Sequence, residues 1–162
     1  MKKQYIIPIF VPHLGCPNDC IFCNQKAISG QKDNMTKDKA KKIIDNYLAN
    51  VDIADGKIEI AFFGGSFTAI DEEKQEELLQ TAYEYIEAGK VESIRISTRP
   101  DAINKQILKR LKRYKVKTIE LGVQSASDYI LHRANRGHNF SDVKKASKLI
   151  RRYGFKLGHQ MM

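Results

Sequence analysis

The feature that most constrains this chain is the eight-residue stretch Cys16-Pro-Asn-Asp-Cys20-Ile-Phe-Cys23, which holds all three of its cysteines. Cysteines this closely grouped, with none elsewhere to pair with, form a metal-site pattern and not a disulfide framework. Three thiolates spaced four and then three residues apart fit on one short loop and can converge on neighbouring corners of an iron-sulfur cube. A closed cluster or a structural zinc site needs a fourth ligand. With three of four metal positions filled by protein, one stays open for a substrate or cofactor.

The remaining composition narrows the setting. With 162 residues, 42% hydrophobic and 29% charged, the chain can bury one ordinary core and reads as a single domain over 1–162. No stretch has the apolar length of a membrane span. Met1-Lys2-Lys3 precedes only the short run Tyr5 to Val11, which contains Pro8 and lacks the h-region and cleavage site of a signal peptide. Clustered thiols without a disulfide framework point to a reducing cytosol, hence a cytoplasmic location. The net charge of +9 is uneven: residues 105–156 hold 15 Lys and Arg against Glu120, Asp128 and Asp142, a net of +12, leaving −3 for the rest. Such a half either binds a phosphate-rich partner such as RNA or presents solvated helix faces; no interleaved aromatic platform accompanies the charge.

Periodicity gives the order of elements. Tyr5 to Val11 reads as a strand, broken by Pro12, Gly15 and Pro17 into the cysteine loop. After a polar connection through Gly30 to Asn34, Thr36 caps a helix with Ala40, Ile43, Ile44, Tyr47 and Leu48 on one face. A second strand, Ile58 to Phe63, runs into Gly64-Gly65-Ser66-Phe67. Asp71, Glu72 and Glu73 then open a helix with Leu78, Leu79, Ala82, Tyr83 and Ile86 inward, ended by Gly89. The unit repeats as strand Ser93 to Ser97, turn Thr98 to Asp101, a helix with Ile103, Ile107, Leu108 and Leu111 inward, and strand Val116 to Leu121. Beyond Gly122-Val123-Gln124-Ser125 come a short helix around Tyr129 to Arg133 and the loop Asn135-Arg136-Gly137-His138. A helix capped by Ser141 and Asp142 follows, with Val143, Ala146, Ile150 and Tyr153 in register and Gly154 at its end, and then a fifth strand from Phe155 to Met162.

Repeated βα units predict a parallel α/β architecture, either an open doubly wound sheet or part of a barrel. Both place an active site at the carboxyl ends of the strands, where the cysteine loop, Gly64-Gly65, Ser97 to Arg99 and Gln124-Ser125 fall. A full eight-unit barrel takes about 250 residues, so a fragment of a longer protein, truncated after the fifth strand, is expected.

These motifs resemble the radical S-adenosylmethionine (SAM) superfamily, whose signature is the CxxxCxxC spacing of Cys16, Cys20 and Cys23. The branch of the elongator catalytic subunit and the oxygen-independent coproporphyrinogen dehydrogenases is the most similar. It is matched by Pro12-His13-Leu14-Gly15, Phe63-Gly64-Gly65-Ser66-Phe67, Ser97-Thr98-Arg99-Pro100-Asp101, Gly122-Val123-Gln124-Ser125 and Asn135-Arg136-Gly137-His138, in order along nearly the whole chain. The resemblance implies a partial (β/α)6 barrel in which the three cysteines ligate a 4Fe-4S cluster and are the catalytic centre, with the amino and carboxylate groups of SAM on the unique iron. It further implies that Gly64 and Gly65 let the backbone approach the methionine amino group, that Phe22 lies near the adenine, and that Arg136 pairs with the SAM carboxylate. Ser97, Arg99, Gln124 and Ser125 match positions near the sulfonium, ribose and methionine groups. Gln160 departs from the ribose-contacting acid of relatives.

The implied activity is that of a radical SAM enzyme, an oxidoreductase or transferase. One electron from a low-potential donor cleaves SAM to methionine and a 5′-deoxyadenosyl radical, which abstracts hydrogen from a substrate. The elongator resemblance and the basic half suggest tRNA; the other branch suggests a tetrapyrrole. Competing readings are a zinc-binding, RNA-associated module with His13 or His138 completing a Cys3His site, and an electron-transfer protein, whose clusters usually have four thiolates.

Overall fold

A computed structural model describes residues 3–11, 18, 20–23, 34–50 and 56–162. Five strands form one sheet: β1 (Lys3–Val11), β2 (Gly56–Gly64), β3 (Ser93–Thr98), β4 (Val116–Gln124) and β5 (Lys156–Met161). Every neighbouring pair is parallel and the spatial order is β1-β2-β3-β4-β5. A doubly wound sheet reverses its order at a switch point; this sheet does not. Winding in one direction puts the crossover helices on one face, as in part of a (β/α) barrel.

The crossovers are α1 (Lys37–Ala49), α2 (Glu72–Glu87), α3 (Lys105–Arg113), and the pair α4 (Asp128–Arg133) and α5 (Phe140–Arg152), with single 3₁₀ turns at Phe67–Ala69 and Pro100–Ala102. Alternation along the strands decides which face is dry. Ile7 and Ile9 of β1, Ile58, Ile60 and Phe62 of β2, Ile94 and Ile96 of β3, and Ile119, Leu121 and Val123 of β4 pack with Ile44, Leu78, Leu79, Leu108, Leu111 and Ile150 from the helices in one core.

Helix starts follow side-chain capping. Thr36 accepts from the Lys39 amide and Asp71 from those of Glu73 and Lys74, each satisfying first-turn donors that lack an intrahelical partner. Two expected starts move. Asn104, accepting from the Ile107 amide, caps α3, so Ile103 precedes the helix while still packing on the core. Asn139, not Ser141, caps α5, in a reciprocal capping box with Asp142. On α2, Tyr85 is buried and Tyr83 only half-buried, because Tyr85 reaches Asp45 of α1 through its hydroxyl at 2.8 Å. Strands β3 and β4 run on to Thr98 and Gln124, carrying motif residues expected in turns.

Candidate cofactor site

The strand ends Gly64, Thr98, Gln124 and Met161 form one edge, and the cysteine segment is fastened to it. Cys23 donates its amide to the Cys20 carbonyl at 2.9 Å, a tight turn, and Ile21 donates to Ala134 at 3.2 Å. The segment is thereby stitched to the loop after α4. That loop bends sharply, with Asn135 and Gly137 both at positive φ, conformations that asparagine and glycine tolerate best. The bend aims Arg136 inward.

Arg136 is 7% exposed. It donates from one terminal nitrogen to the Gly122 carbonyl at 2.7 Å and approaches Cys20 Sγ at 3.6 Å from the other. Its Nε is buried without a hydrogen-bond partner among the described residues. Gly122 makes this possible, since a Cβ there would lie 2.6 Å from the guanidinium. Arg99, 2% exposed, is bound through Nε and a terminal nitrogen to Asp101 and donates to the Arg136 carbonyl at 2.9 Å. Asn18 donates to the same carbonyl at 3.5 Å. Arg99 therefore braces the arginine loop.

A cleft at this edge brings together Cys23 and Phe22 from the cysteine segment, Gly64 and Gly65 from the end of β2, and Ser97 and Arg99 from β3 and its turn. Gln124, Arg136 and Gln160 close the other side. Cys20 is buried beneath Arg136. Ser125 is not among the lining residues; its hydroxyl accepts from the Ser127 amide at 3.1 Å, at the start of α4. Cys16 and His13 lie outside the described residues. Gly64 has a second reason to be glycine: it sits at φ +120° and a Cβ would collide with the Val11 backbone of β1.

Thr68, Glu59, Arg95 and Glu120 lie outside the sequence motifs yet join motif residues at the site. The hydroxyls of Ser66, Thr68 and Thr98 form a buried relay, with Thr98 Oγ1 at 2.8 Å from Ser66 and 2.6 Å from Thr68, and Ser66 Oγ accepts from the Arg99 amide. It ties the loop after β2 to the turn after β3. On the sheet face turned away from the helices, Arg95 bridges Glu59 at 2.9 Å and Glu120 at 2.5 Å. Burial opposes the Arg95 charge, but hydrogen bonds to Glu120 and Glu59 outweigh it and raise its pKa above the usual value. Glu120 also accepts from Gln160 at 2.9 Å and Ser97 at 3.4 Å. Gln160 is thus held by an acid on the adjacent strand. A glutamate inside the apolar run Thr118 to Val123 is the sequence signal for this network.

His138 is buried beside this loop, with Asp101 at 4.0 Å and the Val123 backbone carbonyl beside its ring. Burial, then the Arg136 guanidinium, push its pKa below the ordinary value and Arg99 reinforces this; Asp101 and the Val123 backbone carbonyl oppose it. A dication on His138 would sit among two guanidiniums, which the Cys3His reading does not accommodate well.

The family profile described as the Radical SAM superfamily matches residues 10–162. The chain belongs to the Radical SAM superfamily. Members of this superfamily are enzymes that bind a 4Fe-4S cluster and SAM. This radical SAM chain is 27% identical to a tRNA uridine(34) acetyltransferase of Dehalococcoides mccartyi, aligned over 96% of its own length and 40% of the relative's. It is 33% identical to an uncharacterised protein of Methanocaldococcus jannaschii, over 99% of the chain and 52% of that protein. In fold it is similar to the archaeal Elp3 of Methanocaldococcus infernus, with a TM-score of 0.70 at 21% identity, covering 100% of this chain and 38% of that one. The chain thus spans about half or less of the length of these relatives.

Proposed function

We propose that residues 1–162 form a single radical SAM core domain in which Cys16, Cys20 and Cys23 hold a 4Fe-4S cluster and the cleft above them holds SAM. The observation that carries this reading is Arg136: a buried guanidinium in reach of Cys20 Sγ, with an N–H left unpartnered among the described residues. A buried donor without an acceptor costs about 1–3 kcal/mol, and a carboxylate bound beside the cluster relieves that cost. The donor set fits the group as well, since thiolates suit iron-sulfur ligation and three of them leave one iron free.

When bound, the cluster and SAM supply a 5′-deoxyadenosyl radical after one-electron reduction, and the protein supplies position and dryness. Arg136 binds the carboxylate, with Gly122 giving its side chain room and Arg99 and Asn18 fixing its backbone. Gly64 and Gly65, which line the cleft, would admit the methionine end against the backbone, and Phe22 would contact the adenine. Ser97, Gln124 and Gln160 offer polar contacts to the ribose and methionine groups, with Glu120 orienting Ser97 and Gln160. Arg99 and Ser125 act from behind, as braces of the two loops. A low-potential electron donor in the cytoplasm completes the system. The substrate is an RNA, and the tRNA-modifying relative together with the +12 half of the sequence supports tRNA over a tetrapyrrole.

SAM binding by the anaerobically reconstituted protein tests this. The reduced cluster's electron paramagnetic resonance spectrum is expected to change on adding SAM, and Arg136→Met to weaken that binding by roughly tenfold or more, since a charge-assisted bond is worth about 1.5–3 kcal/mol. An unchanged SAM titration in Arg136→Met would contradict the role assigned to this residue.

A further inference from the structure

We propose that the cleft between α3 and α5, on the outer surface of the domain, binds the phosphodiester backbone of the RNA substrate; this rests on the RNA part of the function proposed above. The cleft has a volume of about 490 Å³ and is lined by Lys105, Lys109, Lys112, Leu149, Arg152 and Tyr153. Among the described residues that line it are four cations and no carboxylate.

The two flanks of α3 differ in how their charge is neutralised. Toward α2, Arg110 pairs with Glu72 and Glu76, and Arg113 with Glu76. Toward α5, Lys105, Lys109 and Arg152 form no ion pair among the described residues, and Lys112 reaches only the Tyr153 carbonyl at 3.2 Å. Lys105, Lys109 and Lys112 recur at i, i+4 and i+7, which puts them on one side of the helix. Lys112 and Arg152 stand in the last turn of α3 and at the end of α5, where the helix dipole favours cations. Lys105 opens α3, where the dipole disfavours one, so the dipole does not explain the row. An external anion does.

Spacing selects the kind of anion. Seven helical residues separate the ends of the lysine row by about 10 Å, too far for one phosphate to meet all four cations and suited to successive phosphates of a chain. Only Tyr153 among the lining residues is aromatic, so the cleft holds backbone and does not read bases. Its α3 end adjoins the Pro100–Ala102 turn, against which α5 also packs and which follows Arg99 of the cofactor site. RNA held there is delivered to the edge where the radical is formed.

The test is a binding titration with bulk tRNA at several salt concentrations, which needs neither cluster nor SAM. The wild-type protein is expected to lose affinity steeply with salt. Lys105→Glu/Lys109→Glu/Arg152→Glu should flatten the log–log slope by about 2–3, at about 0.7–0.9 for each phosphate no longer neutralised. A control with the same charge change, Lys57→Glu/Lys115→Glu/Lys117→Glu, alters lysines already paired with Glu92 and Glu87 and should shift the slope far less. Thermal melts check folding, and Lys105→Gln/Lys109→Gln/Arg152→Gln serves if the reversal unfolds. Wild-type tRNA binding that survives in both cleft variants, or falls equally in the control, overturns the cleft while leaving the RNA substrate standing. Wild-type protein that ignores tRNA overturns both. Poly-glutamate bound in place of tRNA, with the same sensitivity to cleft reversal, assigns the surface to an acidic polypeptide and overturns the proposal.

Discussion

The two faces of the sheet are built on opposite rules. Toward the helices, alternate strand residues are Ile, Val, Leu and Phe, nearly all without solvent contact, and they share one core with α1 to α3 and α5. On the other face the same strands present Glu59, Arg95, Ser97, Glu120 and Gln160, joined in a hydrogen-bonded row. An apolar face stabilises by burial whatever its detailed pairing. A polar face stabilises only when every partner is present, because a half-satisfied network is worse than none. The helix face therefore secures the fold, and the polar face with its adjoining edge is where a single atom decides the outcome.

Four variants, three single and one triple, test that contrast. Cys20→Ala should have the largest effect on chemistry and a small one on stability: loss of the cluster's visible absorption and of SAM cleavage after reconstitution, with Tm changed little. Leu108→Ala, at a fully buried position of α3, should do the reverse, lowering stability by about 2–5 kcal/mol in urea unfolding. Arg95→Met should cost about 2–4 kcal/mol by leaving Glu59 and Glu120 face to face without their cation. Adding Glu59→Gln and Glu120→Gln should return most of that loss, and an additive triple variant would show that the row is not a coupled network.

The smallest effect concerns pH. His138 has a lowered pKa in the folded protein, so the unfolded chain takes up its proton first as pH falls below about 6.5. The full stability is present above that value and declines as pH drops toward the folded-state pKa. Thermal melts between about pH 7.5 and 5.5 should show a decline that His138→Gln flattens; identical profiles would remove His138 as its source.

Much of this was legible in the sequence because period and capping are local. The strand and helix order, the Thr36 and Asp71 caps and the gathering of motifs on one edge follow from neighbours within a few residues. The displaced caps at Asn104 and Asn139 show how close competitors blur a boundary: asparagine three residues before Asp142 completes a reciprocal box that Ser141 cannot. What was not legible depends on pairings between distant segments. Gly122 is required by the Arg136 guanidinium fourteen residues on, and Gly64 by the Val11 backbone. Gln160 is held by Glu120, forty residues away. None of these pairings has a spacing rule. The Cys20–Arg136 approach spans 116 residues, and it joins two motifs that the sequence presents as separate.

In the function proposed above, SAM is cleaved in this cleft at a cluster held by Cys16, Cys20 and Cys23, and a product measurement tests that most directly. The protein is reconstituted anaerobically with iron and sulfide, reduced with dithionite in the presence of SAM, and assayed for 5′-deoxyadenosine. Four irons per chain and 5′-deoxyadenosine that disappears in each of Cys16→Ala, Cys20→Ala and Cys23→Ala are the predicted result. One tightly bound zinc per chain and no 5′-deoxyadenosine would contradict it.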